Sequence, residues 1–218
     1  MAVAFEHERE RMVAEQLEAR GIEDAGVLAA MRQVPRHLFV DPELQDRAYE
    51  DTPLPIGERQ TISQPYMVAL MSETLALRPG ERVLEVGTGS GYQAAVLAEL
   101  GAVVISLERL PMLAERARRV LGALGYLERV TVEVADGSLG WPAGAPYDAV
   151  VVTAAAPAIP RPLVPQLGPG GRLVLPMGEE EMQTLVRIRR GPEGLVEDCL
   201  GACRFVPLRG SHGWEEES

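Results

Sequence analysis

A chain of 218 residues is enough for one α/β domain of ordinary size. Its composition, 46% hydrophobic and 24% charged, excludes a disordered chain. A formal net charge of −11 speaks against a nucleic-acid partner, which needs clustered cationic side chains. No apolar run reaches the length of a membrane span, and the charged, amphipathic stretch from Met1 to Gly21 does not read as a secretory signal. A cytoplasmic monomer without membrane contact is the expectation.

The elements are taken in chain order. Phe5 to Arg20 has helical spacing, with Met12, Val13 and Leu17 on one side, and stops at Gly21. Asp24 caps a second helix that Pro35 ends after Val34, and Asp41-Pro42 opens a short third one. Thr52 to Gln60 reads as a loop. Thr61-Ile62-Ser63-Gln64-Pro65 leads into a helix from about Tyr66 to Leu77. Strands and helices then alternate: a strand ending Val83-Leu84-Glu85-Val86, a helix from Tyr92 to Leu100, a strand from Ala102 to Leu107, and a helix from Pro111 to Leu124. Further strands span Val130 to Ala135, Tyr147 to Thr153 and Gly171 to Met177, with a short proline-bracketed helix from Ile159 to Leu167. Thr184 to Arg189 and Leu195 to Val206 are two more strands with no helix between them. This pattern predicts a Rossmann-like α/β fold: a mostly parallel seven-stranded sheet, an antiparallel C-terminal edge and an N-terminal helical cap. A single domain results, with residues 1–78 as cap and substrate loop, 79–208 as sheet core, and 209–218 as a tail frayed from Ser211. Cys199 and Cys203, four residues apart on a strand and so about 13 Å from each other, are expected to be reduced and buried. No metal-ligand spacing occurs, and His7, His37 and His212 read as surface or packing residues.

The first central strand runs into Gly87-Thr88-Gly89-Ser90-Gly91-Tyr92, a glycine turn opening a helix. Glycines there allow positive φ and close approach of a ligand, and helix N–H groups face it. The spacing is not the dinucleotide pattern, because Tyr92 stands where a small residue is needed. Glu85 just before the turn suits a ligand carrying an ammonium and a sulfonium, which points to S-adenosyl-L-methionine, with S-adenosyl-L-homocysteine as product. The second strand ends at Glu108-Arg109, with Glu108 21 residues after Gly87. Glu108 is either a ribose-binding carboxylate or a solvated acid. The third ends at Asp136-Gly137, where Asp136 either accepts from the adenine amine or closes a turn, and Gly137 lets the ring approach. Three successive strands each ending in an acid favour the cofactor site at the carboxyl edge of the sheet.

Residues outside the cofactor turn choose the acceptor. After the fourth strand comes Val152-Thr153-Ala154-Ala155-Ala156-Pro157, which lacks the Asn/Asp-Pro-Pro-Tyr arrangement for an amino acceptor. No cysteine lies near the turn, aromatics are only 5%, and no histidine-based acid/base set is evident. A carboxylate acceptor accounts for these absences, since it is ionised at neutral pH and needs positioning rather than a base. Ser63 can hold such a carboxylate by its hydroxyl, at the start of a helix whose first N–H groups are free. Spacing alone favours Ser63 as the N-cap of that helix.

Thr61-Ile62-Ser63-Gln64-Pro65-Tyr66, the glycine turn, Val152-Thr153-Ala154-Ala155, Leu175-Pro176-Met177-Gly178 and Arg204-Phe205-Val206-Pro207-Leu208 closely resemble the protein-L-isoaspartate O-methyltransferase family. Pro35-Arg36, Phe39-Val40-Asp41 and Pro53-Leu54-Pro55-Ile56-Gly57 extend the resemblance, which runs from about Met12 to Leu208. It implies methylation of the free α-carboxylate of L-isoaspartyl residues in peptides and proteins, followed by closure to a succinimide. It implies Ser63 as the active-site serine. Thr61, Ile62, Gln64, Thr153, Ala154, Ala155, Phe205, Val206 and Pro207 would shape the peptide site. Glu85, Gly87, Thr88, Gly89, Gly91, Tyr92, Glu108, Arg109, Asp136 and Gly137 would hold the cofactor. A methyltransferase acting on a small metabolite shares every cofactor residue and is the alternative; a non-catalytic adenosine-ligand protein is a second.

Overall fold

The computed structural model describes residues 2–215, with side chains from Phe5 onward. Its α-helices are α1 (Ala2–Met12), α2 (Ala25–Gln33), α3 (Pro65–Leu75), α4 (Tyr92–Glu99) and α5 (Pro111–Ala123). Its strands are β1 (Leu54–Gly57), β2 (Gln60–Ile62), β3 (Arg82–Val86), β4 (Val103–Glu108), β5 (Val130–Val134), β6 (Tyr147–Val152), β7 (Leu167–Gly178), β8 (Gln183–Gly191) and β9 (Gly194–Cys203). The seven-stranded sheet has the order β5-β4-β3-β6-β7-β8-β9. From β5 across to β7 the strands pair in parallel, and β8 and β9 add the antiparallel edge. The expected architecture is therefore present.

The central parallel strands β3 and β6 are buried on both faces, as continuous apolar runs such as Ala149-Val150-Val151-Val152 require. Val83, Ala149 and Val151 pack with the N-terminal helices and α4 in one cluster. Leu84, Val86, Val150 and Val152 pack on the opposite face. The chain leaves β3 toward β4 and β5 on one side, then returns to place β6 on the other. Such a reversal opens a crevice above the strand carboxyl ends.

Several local expectations change. Helix α1 continues past Met12 as a wider π turn (Val13–Leu17) and a tight last turn (Glu18–Arg20), which Gly21 ends at φ 90°. The loop expected over 52–60 contains the β1–β2 hairpin, with Leu54 opposite Ile62. Its turn, Glu58-Arg59, takes positive φ at both residues without glycine or asparagine, so the usual hairpin signal is missing. The proline-bracketed helix is a 3₁₀ turn, Arg161–Gln166. Cys199 is exposed rather than buried because β9 is the sheet edge; Cys203 is half-buried, and both are free thiols. Nor does the chain fray at Ser211. The Ser211 N–H donates to Asp136 Oδ2 (2.8 Å), the His212 N–H to Ser138 Oγ (3.0 Å), and the Trp214 N–H to the Leu208 carbonyl (2.8 Å). Residues 216–218 of the expected tail lie outside the described residues.

The C-terminal end of α3 depends on a residue from β7. Arg172 pairs with Glu81 and donates to the carbonyls of Leu75, Ala76 (3.0 Å) and Asp148 (3.0 Å). Burial pushes the Glu81 carboxyl up, but hydrogen bonds from Arg172 and the Arg78 N–H outweigh it and hold its pKa below the ordinary value. Replacing Arg172 by Met leaves a mostly buried carboxylate and the helix-end carbonyls without their donor. Urea unfolding of Arg172→Met is expected to show a loss of about 3 kcal/mol. A loss below about 1 kcal/mol would show that water replaces Arg172 without cost.

Candidate active site

The site forms where β3 and β6 part. The Thr153 N–H donates to the Val86 carbonyl (2.9 Å), and its hydroxyl donates to the carbonyls of Val86 (3.1 Å) and Gly87 (2.6 Å). Gly87 has φ 102°, and a Cβ there would run into Thr153 Oγ1, so glycine is required. Gly137 is required for another reason: a Cβ would press on Val86 Cγ1.

One cleft collects most of the anticipated residues. Gly87, Thr88, Gly89 and Tyr92 from the turn line it together with Glu108, Arg109 and Gly137. On the same cleft stand Thr61, Ile62, Ser63, Thr153, Ala154, Val206 and Pro207. The cofactor and acceptor groups inferred from separate stretches of sequence thus share one wall. The C-terminal contribution is fixed by backbone pairing: the Ala155 N–H donates to the Val206 carbonyl (2.8 Å), and the Leu208 N–H to the Ala155 carbonyl (2.7 Å). Gln60, Val68, Ser90, Gln93, Leu208 and Arg209 also line the cleft and were not anticipated. For Gln60, the hidden hairpin removed the signal; Ser90 and Gln93 were legible as neighbours of the glycine turn.

Six anticipated residues do not reach that wall: Glu85, Gly91, Asp136, Gln64, Ala155 and Phe205. Gly91, at φ 89°, packs on Ala117 and Leu121. Ala155 acts through its backbone, and the Phe205 N–H donates to Gln183 Oε1 (2.9 Å). Gln64 turns away, its Nε2 donating to Asp51 Oδ2 (2.6 Å).

The three acids differ in environment. Glu108 lies on the cleft, only 6% exposed, and accepts the Gly89 N–H at Oε2 (2.8 Å) and the Leu110 N–H at Oε1 (3.0 Å). Each oxygen keeps a lone pair for a diol. Asp136 Oδ1 accepts from the Ser138 N–H (3.0 Å) and hydroxyl (2.6 Å), while Oδ2 takes the Ser211 N–H. Burial pushes the Asp136 carboxyl up, but these hydrogen bonds outweigh it and lower its pKa. Asp136 faces a neighbouring depression with Trp214, contiguous with the cleft through Arg109 and Arg209. Glu85 is fully buried beneath the turn, opposite Ser106 on β4. Ser106 Oγ donates to Glu85 Oε2 and lies 2.5 Å from Thr88 Oγ1, whereas Glu85 Oε1 has no hydrogen-bond partner among the described residues. Burial pushes the Glu85 carboxyl up to about 8, opposed by the Ser106 hydrogen bond and aided by the charge of Glu108. Direct contact between Glu85 and a cofactor ammonium is therefore not what the geometry offers.

Ser63 is half-buried on the cleft and its hydroxyl has no hydrogen-bond partner among the described residues. It is not a helix cap. Pro65 disfavours a helical conformation at the preceding residue, and Gln64 is extended at φ −50° and ψ 136°. The helix therefore starts at Pro65, and Gln64 takes the N-cap position without a side-chain cap. Nor are the first N–H groups free. Pro65 has none, the Tyr66 N–H donates to Asp51 Oδ1 (3.1 Å), and those of Met67 and Val68 donate to the Gln64 carbonyl (3.0 and 3.2 Å). An acceptor carboxylate would meet the Ser63 hydroxyl, not a helix terminus.

The chain is similar to known proteins over nearly its whole length. Residues 7–213 match the model of the protein-L-isoaspartate(D-aspartate) O-methyltransferase family. The chain is 57% identical to protein-L-isoaspartate O-methyltransferase 1 of Syntrophobacter fumaroxidans, covering 98% of this chain and 99% of that one. It is 60% identical to the protein-L-isoaspartate O-methyltransferase of Methanoculleus marisnigri, over 96% and 95% of the two chains. A solved protein-L-isoaspartate O-methyltransferase superposes with a TM-score of 0.83 at 32% identity, covering 94% of this chain and 67% of its own. A Plasmodium falciparum structure described under the same name, in complex with S-adenosyl-L-homocysteine, gives 0.79 at 28% identity over 92% and 98%.

The buried Glu85 makes stability depend on pH. Its folded pKa near 8 lies above the ordinary 4.5, so between these values the native state holds a proton that the unfolded chain has released. The contribution of neutral Glu85 is complete below about pH 4.5 and is lost as pH rises toward 8. The cofactor-free protein should lose stability over that window relative to Glu85→Gln, by up to about 1.4 kcal/mol per pH unit. Parallel curves of Tm against pH for the two proteins would show that Glu85 is ionised when folded.

Proposed function

The chain belongs to the protein-L-isoaspartate(D-aspartate) O-methyltransferase family, and we propose that Ser63 holds the acceptor α-carboxylate while Glu108 and the glycine turn hold the cofactor. The enzyme uses S-adenosyl-L-methionine to methylate isoaspartyl residues in proteins. The observation that carries the division of labour is the partnerless Ser63 hydroxyl on the same cleft as Glu108.

The residues present fit the cofactor. Glu108 keeps acceptor capacity toward a ribose diol, and Gly137, on the same cleft, packs against Val86 where a Cβ would clash. Asp136, engaged by Ser138 and Ser211, borders the adjoining depression and retains acceptor capacity toward an adenine amine. Glu85 supports the turn from below through Ser106 and Thr88. Bound S-adenosyl-L-methionine supplies an electrophilic methyl group.

The acceptor needs no deprotonation, because an α-carboxylate ionises near pH 3.5. Catalysis then rests on placing one oxygen toward the methyl and fixing the other, which the Ser63 hydroxyl can do by donating a hydrogen bond. Thr61 and Ile62 precede it on β2, and Thr153, Ala154, Val206 and Pro207 line the same cleft for the peptide. Ala154, Val206 and Pro207 carry no side-chain donor or acceptor to compete for the carboxylate. The same reading has the chain act as a cytoplasmic monomer on peptides and proteins without nucleic acid, and the formal net charge of −11 supports the last of these.

Two measurements test the assignment. Labelled S-adenosyl-L-methionine is offered with peptides differing only in isoaspartyl or aspartyl linkage. Base-labile label on the isoaspartyl peptide alone is expected, and Ser63→Ala should lower kcat roughly 10- to 100-fold with unchanged S-adenosyl-L-homocysteine affinity. Loss of cofactor binding in that variant would move Ser63 to the cofactor side. Glu108→Ala should weaken S-adenosyl-L-homocysteine binding by about 2–3 kcal/mol in calorimetry, since it removes an acceptor and frees the Gly89 N–H. Unchanged affinity would remove Glu108 from the ribose.

A further inference from the structure

The corner that presents Ser63 is held by a residue outside it. Asp51 lies just before β1, far from α3 in sequence. Its Oδ1 accepts the Tyr66 N–H (3.1 Å), the one N–H in the first turn of α3 that has no local acceptor, and its Oδ2 accepts from Gln64 Nε2 (2.6 Å). The Arg20 guanidinium pairs with the same Oδ2 and lies over the Tyr66 ring, 3.6 Å from its centroid. Asp51 therefore grips both residues that flank Pro65, immediately after Ser63. On the other side, Ile62 is pinned opposite Leu54 in the hairpin that Asp51 leads into.

The local sequence cannot do this by itself. Pro65 forces Gln64 into an extended conformation, and Gln64 does not cap its own helix. The hydroxyl that local spacing would assign to capping belongs to Ser63. We infer that Asp51 is a positioning residue: it caps α3 from a distance and ties down Gln64, so that the Ser63 hydroxyl stays free and fixed toward the acceptor carboxylate. The inference rests on the role given to Ser63 above. It also gives the N-terminal cap a catalytic consequence. Arg20 ends its first helical segment, and Gln16 Nε2 donates to the Tyr49 carbonyl (2.9 Å), anchoring the stretch that carries Asp51.

A double-mutant cycle separates positioning from mere stabilisation. Asp51→Ala, Ser63→Ala and the pair are assayed on the isoaspartyl peptide, with S-adenosyl-L-homocysteine affinity measured alongside. Asp51→Ala is expected to lower kcat tenfold or more with cofactor affinity within twofold of wild type. In the Ser63→Ala background the same change should lower kcat less than twofold further, because the group it positions is gone. Equal losses in both backgrounds, or wild-type kcat for Asp51→Ala, would overturn the inference. Asp51→Asn guards against a folding failure: its carbonyl oxygen can still accept the Tyr66 N–H, and kcat should recover to within about threefold of wild type. A soluble Asp51→Asn enzyme as slow as Ser63→Ala would also overturn it. Wild-type protein inactive on the isoaspartyl peptide would count against the reaction itself, whereas normal wild-type turnover with additive losses counts against Asp51 alone.

Discussion

The hydrogen bonds from Thr153 to the carbonyls of Val86 and Gly87 fix the rest of the site. They lie at the point where the chain divides, with β4 and β5 to one side of β3 and β6 and β7 to the other. Because the strands end together there, the loops above them must diverge, and a crevice opens between. One side of that crevice inherits the glycine turn and the acid of β4. The other inherits Thr153-Ala154 and, through pairing of Ala155 with Val206 and Leu208, the segment after β9. The relative placement of the glycine turn and the Thr153-Ala154 segment is thus a property of the sheet. It does not depend on loops finding each other.

Helix α3 is the exception, since at both of its ends a distant charged side chain completes what local backbone bonds leave open. Its last carbonyls are met by Arg172 from β7, and its first available N–H by Asp51 from the segment before β1. Ala76 at the C-terminus adopts φ 46° without being glycine, so the chain leaves the helix in a conformation that local sequence does not favour. A helix anchored by distant charges at both ends takes its position from the sheet and the N-terminal cap together. The corner fixed in this way also carries Ser63, two residues before the helix begins.

Most of the sheet was legible because parallel strands buried on both faces leave long apolar runs, and prolines and glycines punctuate them. The β1–β2 hairpin was hidden because Glu58-Arg59 is no turn signal, and its strands are three and four residues long. Of the residues on the cleft, Gly87, Glu108 and Gly137 were legible from strand ends, whereas Thr153 entered only through the family resemblance. Ser63 was legible as a position but not as a role from spacing, since a serine before a helix reads first as a cap. What decided against the cap was Pro65, a residue in plain view, whose restriction on Gln64 moves the helix start by one residue. Asp51 could not be found this way: its partners are 13 and 15 residues distant, and no periodicity connects them.

The three acids show how far a shared pattern can diverge. Each ends or nearly ends a strand beside a turn, and sequence alone gives them parallel roles. Glu85 points into the face packed by α4 and the N-terminal helices, where burial favours the neutral acid and its hydroxyl partner is Ser106. Glu108, on the next strand, accepts two backbone N–H groups at the cleft edge, which spends only part of its acceptor capacity. Asp136 meets two serines, one of them delivered by the C-terminal segment. A protonated acid can brace a turn without repelling Glu108 nearby. Two ionised carboxylates in the same space would instead raise the cost of holding the turn closed. Burial that keeps the proton on Glu85 up to about pH 8 thus separates an acid that braces the turn from one that faces the cleft.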